Sequence, residues 1–577
     1  MKKLIITFLL TMSINVFSQK PYDYTLLTYS QVGYDILMPK NAMVQNTDST
    51  FLSTDATFTL RRISDNKKVL KGKVLKMEKK WGKFWWKVDF SNYQKAGTYF
   101  LEIKDHKKTL FASKKELPII IEKNRMWNKT WYATALSHLK KRDSLSYKLE
   151  GGWKDCGSPL QEVSSHIIML NALCDLYELT GSKLSTKEKQ ETIEQMIIGA
   201  NYVAYCQDLA EEIGYKEGAV VHEARQNLKV VTGNVAKTSM ILARIGRIIK
   251  DINSQKSIEY IQRSKKSFEW IDQYGPVLHW DNRGKEYAIV HGAPEKMFMP
   301  PKEWMTRDLV MMMWAGLELY KAGETEYKER SVLYAKRVMA RQVPEEKAED
   351  GLYGHFYTYD SYDFTEKANI HCGAWSANYK AYNQGGHFPH YLIPMIEMMQ
   401  LWPQHNDNAN WHKTVKSFAY NYFVPATGQN PFKILPAGYY KGEGLLNFSG
   451  WYHGHNKIFG YAAGLAMEFY HLYDDDQFID IAMGNLNWIT GLHSGFHKND
   501  RDFSASMIVG IGNRSKADWD AMTGTITNGF EAFKQFKLER PTKKADAPTY
   551  FGDEGGIHHP AGWISGLTRL YYYQENN

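Results

Sequence analysis

Gly151-Gly152-Trp153-Lys154-Asp155-Cys156-Gly157-Ser158 is a glycine-flanked loop carrying one acid, and a helix follows it. Val163, Ile167, Leu170, Cys174 and Tyr177 recur at near-helical spacing and stop before Gly181. The same loop-then-helix texture runs through the rest of the chain from about residue 125. Amphipathic runs appear near 129–142, 187–206, 233–251, 255–273, 305–322, 326–343, 390–402, 409–422, 456–473, 478–490 and 560–574, which predicts about a dozen helices. With long connections and no short repeat, such a set fits paired helices closed into an α/α toroid, with a cleft built from the loops at one end.

Ahead of residue 125 the texture differs. Phe58-Thr59-Leu60, Val69 to Leu75, Trp86 to Phe90, Thr98 to Ile103 and Leu117 to Ile121 alternate or are β-branched, with Asn, Asp, Gly and Lys turns between them. These short strands predict a small β-sandwich over 24–122, with the helical domain over 128–577. A chain of 577 residues requires more than one core. Met1 to Ser18 reads as an export signal: Lys2 and Lys3, an apolar run Leu4 to Leu10, and a cleavage site at Val16-Phe17-Ser18. No cysteine lies near that site for a lipid anchor, and no later run reaches the length of a membrane span.

The net charge of +9 is dispersed, which argues against nucleic acid and tolerates an anionic glycan. Aromatic residues make up 14%, enough to supply flat faces for sugar rings as well as core. The 4 cysteines are too scattered for a disulfide framework or a zinc site.

A second glycine-flanked acidic segment, Gly552-Asp553-Glu554-Gly555-Gly556, lies near the C-terminus. Two carboxylates facing each other across a cleft are the minimum machinery of a glycosidase. Several landmarks then fall in a specific order. Ser30-Gln31-Val32-Gly33-Tyr34 with Pro39 to Val44, and Ala96-Gly97-Thr98-Tyr99, resemble the immunoglobulin-like domain that precedes many glycoside hydrolase family 9 catalytic domains. Gly151 to Ser158 resembles that family's Gly-Gly-Trp-x-Asp-Ala-Gly-Asp loop. Asn487 to Gly491, Met507 to Gly512, and Asp553 to Ile557 with Pro560-Ala561-Gly562 resemble its later conserved segments.

The resemblance implies an Ig-like β-sandwich followed by an all-α (α/α)6 barrel that hydrolyses β-linked glycans with inversion. No cofactor is required, and calcium in a loop is left open. By position, Glu554 matches the general acid and Asp155 the first loop Asp, which helps hold the attacking water. Ser158 stands where the family has its principal base, and Asn513-Arg514-Ser515-Lys516 stands where a His-His-Arg signature is expected. Both departures point away from plain cellulose.

The residues themselves add detail. Ser158-Pro159-Leu160-Gln161 reads as a helix start with a capping box, Ser158 being the N-cap. Asp155 just before it is favoured as a carboxylate by the helix terminus. Glu162, a turn further, is a second candidate for water activation, with a solvated first-turn acid as its alternative. Trp153, Trp375, Trp451, Tyr452, His453, His493, His558 and Arg514 are candidates for sugar contact. His453 and His455 have metal-ligand spacing, but no third ligand is evident, so no metal site is assigned. His222-Glu223-x-Arg225 reads as ordinary loop before it reads as a site. Two other functions stay open at this point: a lyase acting on a uronate-containing glycan through a Tyr or His base, and a glycan-binding protein without catalysis.

Overall fold

The computed structural model describes residues 26–576 apart from 81–82, 107, 145, 147–150, 158–159, 226, 291–297, 349–350, 358–378, 381–391, 437, 441–443, 447–455, 494–504, 518–521 and 531–553. The export signal, Ser158, Trp375, Trp451, Tyr452, His453 and Asp553 therefore lie outside the described residues.

The N-terminal part is built from β1 (Leu26–Thr28), β2 (Tyr34–Asp35), β3 (Asn41–Asn46), β4 (Thr57–Arg62), β5 (Lys68–Lys76), β6 (Phe84–Asp89), β7 (Gly97–Asp105), β8 (Lys108–Ala112) and β9 (Ile119–Glu122). Strand order is β1-β3-β6-β5-β4-β7-β9-β2, with β8 on β7. The long β5 passes between two layers. Its first half pairs with β4 and its last three residues, Val74 to Lys76, pair with β6. All pairs are antiparallel except β2 with β9. Val44, Trp86 and Val88 from one layer meet Phe58, Leu60, Leu101 and Ile121 from the other in a separate apolar core. At the turn into β7 the Tyr99 hydroxyl donates to the carbonyls of Lys95 (2.9 Å) and Ala96 (3.0 Å), which explains the Gly-x-Tyr spacing.

The helices are α1 (Arg125–Tyr132), a π-helical turn at Ala133–Ser137, α2 (His138–Ser144), α3 (Val163–Thr180), α4 (Thr186–Glu212), α5 (Thr232–Ile248), α6 (Ser254–Tyr274), α7 (Asn282–Val290), α8 (Thr306–Lys321), α9 (Tyr327–Met339), α10 (Ile393–Leu401), α11 (Asn408–Ser417), α12 (Val424–Thr427), α13 (Asn456–Tyr473), α14 (Gln477–Thr490) and α15 (His558–Asn576). Packing runs α13–α15–α3–α5–α8–α10, an inner ring. The outer partners are α14 on α13, α1 and its π turn on α15, α4 on α3, α6 on α5, α9 on α8 and α11 on α10. Inner helices are apolar nearly all round: in α8, every residue from Asp308 to Leu319 is buried. Each outer helix runs back along its partner, so the inner helices are parallel and their N-termini gather at one end. The expected architecture, sandwich then (α/α)6 barrel, is the one observed. The short α7, and strands β1 and β8, were not anticipated, because stretches this short carry too few turns or alternations for periodicity to register.

At the far end of the inner ring a chain of ion pairs, buried from Glu468 to Arg244 and half-buried at Arg247, Lys321 and Glu397, joins all six inner helices. Glu468 of α13 accepts from Arg569 of α15 (2.7 Å), which also binds Asp175 of α3 (2.6 Å). Asp175 meets Arg244 of α5 (2.8 Å), and Arg247, one turn on, meets Glu318 of α8 (2.8 Å). Lys321 then bridges Glu318 (3.0 Å) and Glu397 of α10 (2.8 Å).

The two domains meet over a packed, hydrogen-bonded seam. In β3 and β6 adjacent residues serve different cores: Val44 and Trp86 face the sandwich, Met43 and Trp85 the barrel, where Trp85 packs edge-on against Phe432. Gln31 N–H donates to the Thr490 carbonyl (2.7 Å), Ser30 Oγ pairs with Thr490 Oγ1 (2.8 Å), and Asn513 N–H donates to the Gln31 carbonyl (2.8 Å). Gly33 has φ +112° and a Cβ there would lie 2.8 Å from the Ile120 carbonyl, so only glycine fits.

Asp35 is buried in this seam and accepts from Met126 N–H (3.3 Å). Burial pushes its carboxyl up to about 6, against the pull of those backbone donors and of Lys40 and Arg125. A raised acid contributes stability that is fully present below about pH 4 and is lost as pH rises through about 6. Asp35→Asn should therefore gain thermal midpoint on wild type between pH 4 and pH 8. Calorimetry at the two pH values tests this, and an identical difference at both would remove Asp35's titration from the seam.

Candidate active site

The loop before α3 is held from below. His166 lies one turn inside that helix, accepts from Trp153 N–H at Nε2 (2.8 Å) and donates from Nδ1 to the Glu162 carbonyl (2.8 Å). Burial pushes this imidazole down to about 4, so it stays neutral and keeps both roles. Gly152, at φ +73°, lies where a Cβ would be 2.7 Å from His166 Nε2. Trp153 is 0% exposed: its indole stacks on His166 and donates to Gln195 Oε1 (2.9 Å). This corrects the sugar-contact reading of Trp153, which anchors the loop instead.

The helix start also differs from expectation. It begins at Val163 with Glu162 at the cap position, not after Ser158, and Gln161 reaches the Gly151 carbonyl (2.7 Å) rather than completing a capping box. Asp155 Oδ2 accepts from Glu162 N–H (3.0 Å) and so closes the turn before α3. Non-helical backbone at 160–162, fixed by those bonds and by Tyr202 donating to the Gln161 carbonyl, outcompetes an earlier helical turn.

Glu162 is 4% exposed and no solvated acid. Its Oε1 lies 2.8 Å from His222 Nε2, and Asn234 Nδ2 lies 2.8 Å from His222 Nδ1. With Asn234 donating to Nδ1, the ring proton sits on Nε2 and is given to Glu162. His222 is placed by main-chain bonds to Val163 (2.9 Å) and Lys229 (2.8 Å). Lys229 is itself buried, its ammonium 4.4 Å from the centre of the Trp280 ring. Burial, against Glu162 and Asp281, pushes it down to about 7.

Glu554 precedes a two-residue strand, Gly555–Gly556, that pairs with Ile526–Thr527. It is 7% exposed. Asn528 N–H donates to its carbonyl (2.8 Å), and Asn528 Nδ2 lies 3.4 Å from Oε2. His559 bonds Asn528 and accepts from Lys457 N–H at the start of α13 (3.1 Å). Ile557 N–H donates to the Asp155 carbonyl (2.8 Å). The two acidic segments, distant in sequence, are therefore joined directly at the N-terminal end of α3 and α15. Lys237 of α5, pushed down to about 8 by burial and the charge of Arg307, lies within electrostatic reach of Lys457, Asp308 and Glu162 at the same end.

The remaining candidates separate. His493 is 0% exposed, bonded to the Ala505 carbonyl (2.8 Å) and packed between Trp488 and Phe530, so its sugar-contact reading is corrected to core. His558 is half-buried beside His559 in the first turn of α15. Arg514 is half-buried, and its neighbour Asn513 bonds Gln31 and, through Nδ2, the Pro118 carbonyl (2.7 Å), placing it by the domain seam. His166, Asn234 and Asn528 were missed. Only the i, i+4 spacing of Glu162 and His166 offered a signal. Among the described residues no cluster of His, Cys, Asp or Glu is arranged to hold a metal ion, and no helix is long and apolar enough to cross a membrane.

Residues 28–108 match the cellulase N-terminal Ig-like domain family. No curated protein matches the sequence. Among solved structures, a metagenome-derived glycoside hydrolase family 9 endoglucanase is 14% identical with TM-score 0.66, covering 95% of this chain and 99% of that one. A family 9 protein of Bacteroides ovatus is 13% identical with TM-score 0.62, covering 96% and 99%. The family 9 endoglucanase J30 is 14% identical with TM-score 0.62, covering 93% and 99%. The chain thus carries an N-terminal domain of the cellulase Ig-like type and, over nearly its whole length, the fold of the family 9 glycoside hydrolases.

Proposed function

We propose that this protein is an exported glycoside hydrolase acting on a polysaccharide or oligosaccharide, with β-linkage and inversion as its mode. The observation that carries the reading is the direct bond from Ile557 N–H to the Asp155 carbonyl, which brings the acidic loop before α3 against the acidic segment before α15. Glu554 protonates the departing oxygen. Asp155 and Glu162 activate water, with His222 fixing the Glu162 carboxylate. Inversion needs the acid and base carboxyls about 6.5–9.5 Å apart, room for one water. His558 is retained as a sugar contact, and Arg514, Trp375, Trp451, Tyr452 and His453 remain proposals by position in the chain.

Purified protein incubated with neutral and uronate-containing glycans should release reducing ends, and NMR of the first product should show the anomer opposite to the linkage. Asp155→Asn and Glu162→Gln should each lower kcat by about two orders of magnitude with KM little changed. Activity indifferent to both would sink the water-activating assignment. An unsaturated product absorbing in the ultraviolet would instead mark a lyase and overturn the hydrolase reading.

A further inference from the structure

Arg142 belongs to α2, in the outer layer, after two lysines, yet it is 0% exposed. Among the described residues its guanidinium reaches three separate segments. Nη1 donates to the Lys154 carbonyl (2.8 Å), Nη2 to the Gly555 carbonyl (2.9 Å), and Nη2 also to Thr525 Oγ1 (2.9 Å). Lys154 N–H returns a long bond to the Arg142 carbonyl (3.4 Å). Lys154 immediately precedes Asp155, and Gly555 immediately follows Glu554. Thr525 leads into the strand whose continuation, Asn528, holds Glu554.

We propose that Arg142 is a positioning residue that fixes the separation of Asp155 and Glu554 by clamping the main chain beside each carboxylate. The proposal rests on the hydrolase reading for its catalytic consequence. A planar guanidinium presents donors in a fixed fork, so the two carbonyls cannot shift independently without breaking a bond. Together with the Ile557–Asp155 bond it ties the two segments at two points, which resists rotation as well as separation. An acid and a water-activating group displaced by about 1 Å can lose two orders of magnitude in rate. A lysine keeps the charge but offers a point donor on a flexible stem and cannot hold three acceptors in that geometry.

The test uses the full chain with Arg142→Lys and, as a milder variant that removes only one acceptor, Thr525→Val. Hydrogen exchange is followed at the amides of Asp155, Asn528 and Ile557, alongside steady-state kinetics on a glycan the wild type cleaves. Arg142→Lys should raise exchange about tenfold or more at Asp155 and Ile557 together, and lower kcat about 10- to 100-fold with KM within about threefold. Thr525→Val should show the same pattern with smaller amplitude. Exchange unchanged at either site, a uniform rise across the whole barrel, or a change confined to KM would overturn the clamp. If the wild type cleaves no glycan, the hydrolase reading fails, and exchange alone then judges the tie: joint loosening supports it and independent behaviour removes it.

Discussion

Glu554→Gln is expected to lower kcat on a natural glycan by about two orders of magnitude or more while leaving ligand binding intact. Glutamine matches the acid in size, and its side-chain oxygen can still receive Asn528 Nδ2, which lies 3.4 Å from Oε2 in the wild type. What it lacks is a proton that can be transferred. The loss should be much smaller on an aryl glycoside with a good leaving group, which departs without protonation. This contrast identifies an acid, because a residue that only positions sugar would weaken both substrates alike. Equal rates for Glu554→Gln and wild type on a natural glycan would take Glu554 out of the mechanism, and the likeness of fold would then be a poor guide to chemistry.

Arg244→Met is expected to destabilise the barrel by about 3–5 kcal/mol, the range found when one partner of a buried ion pair is removed. Arg244 is buried and bonds Asp175 (2.8 Å) and Glu178 (2.6 Å) on α3, and lies 4.0 Å from Glu318 on α8. Its loss takes from Asp175 one of its two arginines and leaves Arg569 and the Ser565 hydroxyl. The cost should depend on pH. Burial works against the Glu178 carboxylate, but Arg244, followed by Arg247 and Lys321, outweighs it and holds it below its ordinary value. A depressed acid contributes stability that is present above about pH 4.5 and is lost as pH falls through its folded value. The gap in thermal midpoint between wild type and Arg244→Met should thus narrow as pH falls below about 4.5. A gap that stays constant from pH 7 to pH 3 would mean that Arg244 matters only for the volume it fills.

The switch from strands to helices near residue 125 was legible because each texture persists over many residues. The loop setting of Asp155 and Glu554 was legible too, since glycines flank both, and the Ile557 N–H bond to the Asp155 carbonyl joins their two segments. What could not be read was which side of a loop a residue faces. Trp153 and His493 have the composition of sugar contacts, yet they are packed away, and nothing local distinguishes a buried indole from one lining a cleft. The start of α3 was misplaced because a strong local signal, Ser-Pro-x-Gln, competes with the bonds of Gln161 to the Gly151 carbonyl and from the Tyr202 hydroxyl, which only the folded chain supplies. His222 meets Glu162 across 60 positions, and Arg142, at the end of the amphipathic run 129–142, meets Gly555 across 413. Long-range pairing of this kind leaves no periodic trace.

The alternation in β3 and β6, where Trp85 serves the barrel and Trp86 the sandwich, bears on how such chains can be cut and recombined. A sheet that is apolar on both faces cannot be lifted off as an independent module: excision would strand Met43 and Trp85 on one fragment and Phe432 on the other. Only Lys123 and Asn124 lie between β9 and α1, so no hinge is available to let the smaller domain swing towards a polymer. A barrel fragment beginning near residue 125 should therefore come out of cells as aggregate. A chimaera with a foreign β-domain would have to import the Ser30 to Tyr34 loop together with its landing sites at Thr490 and Asn513.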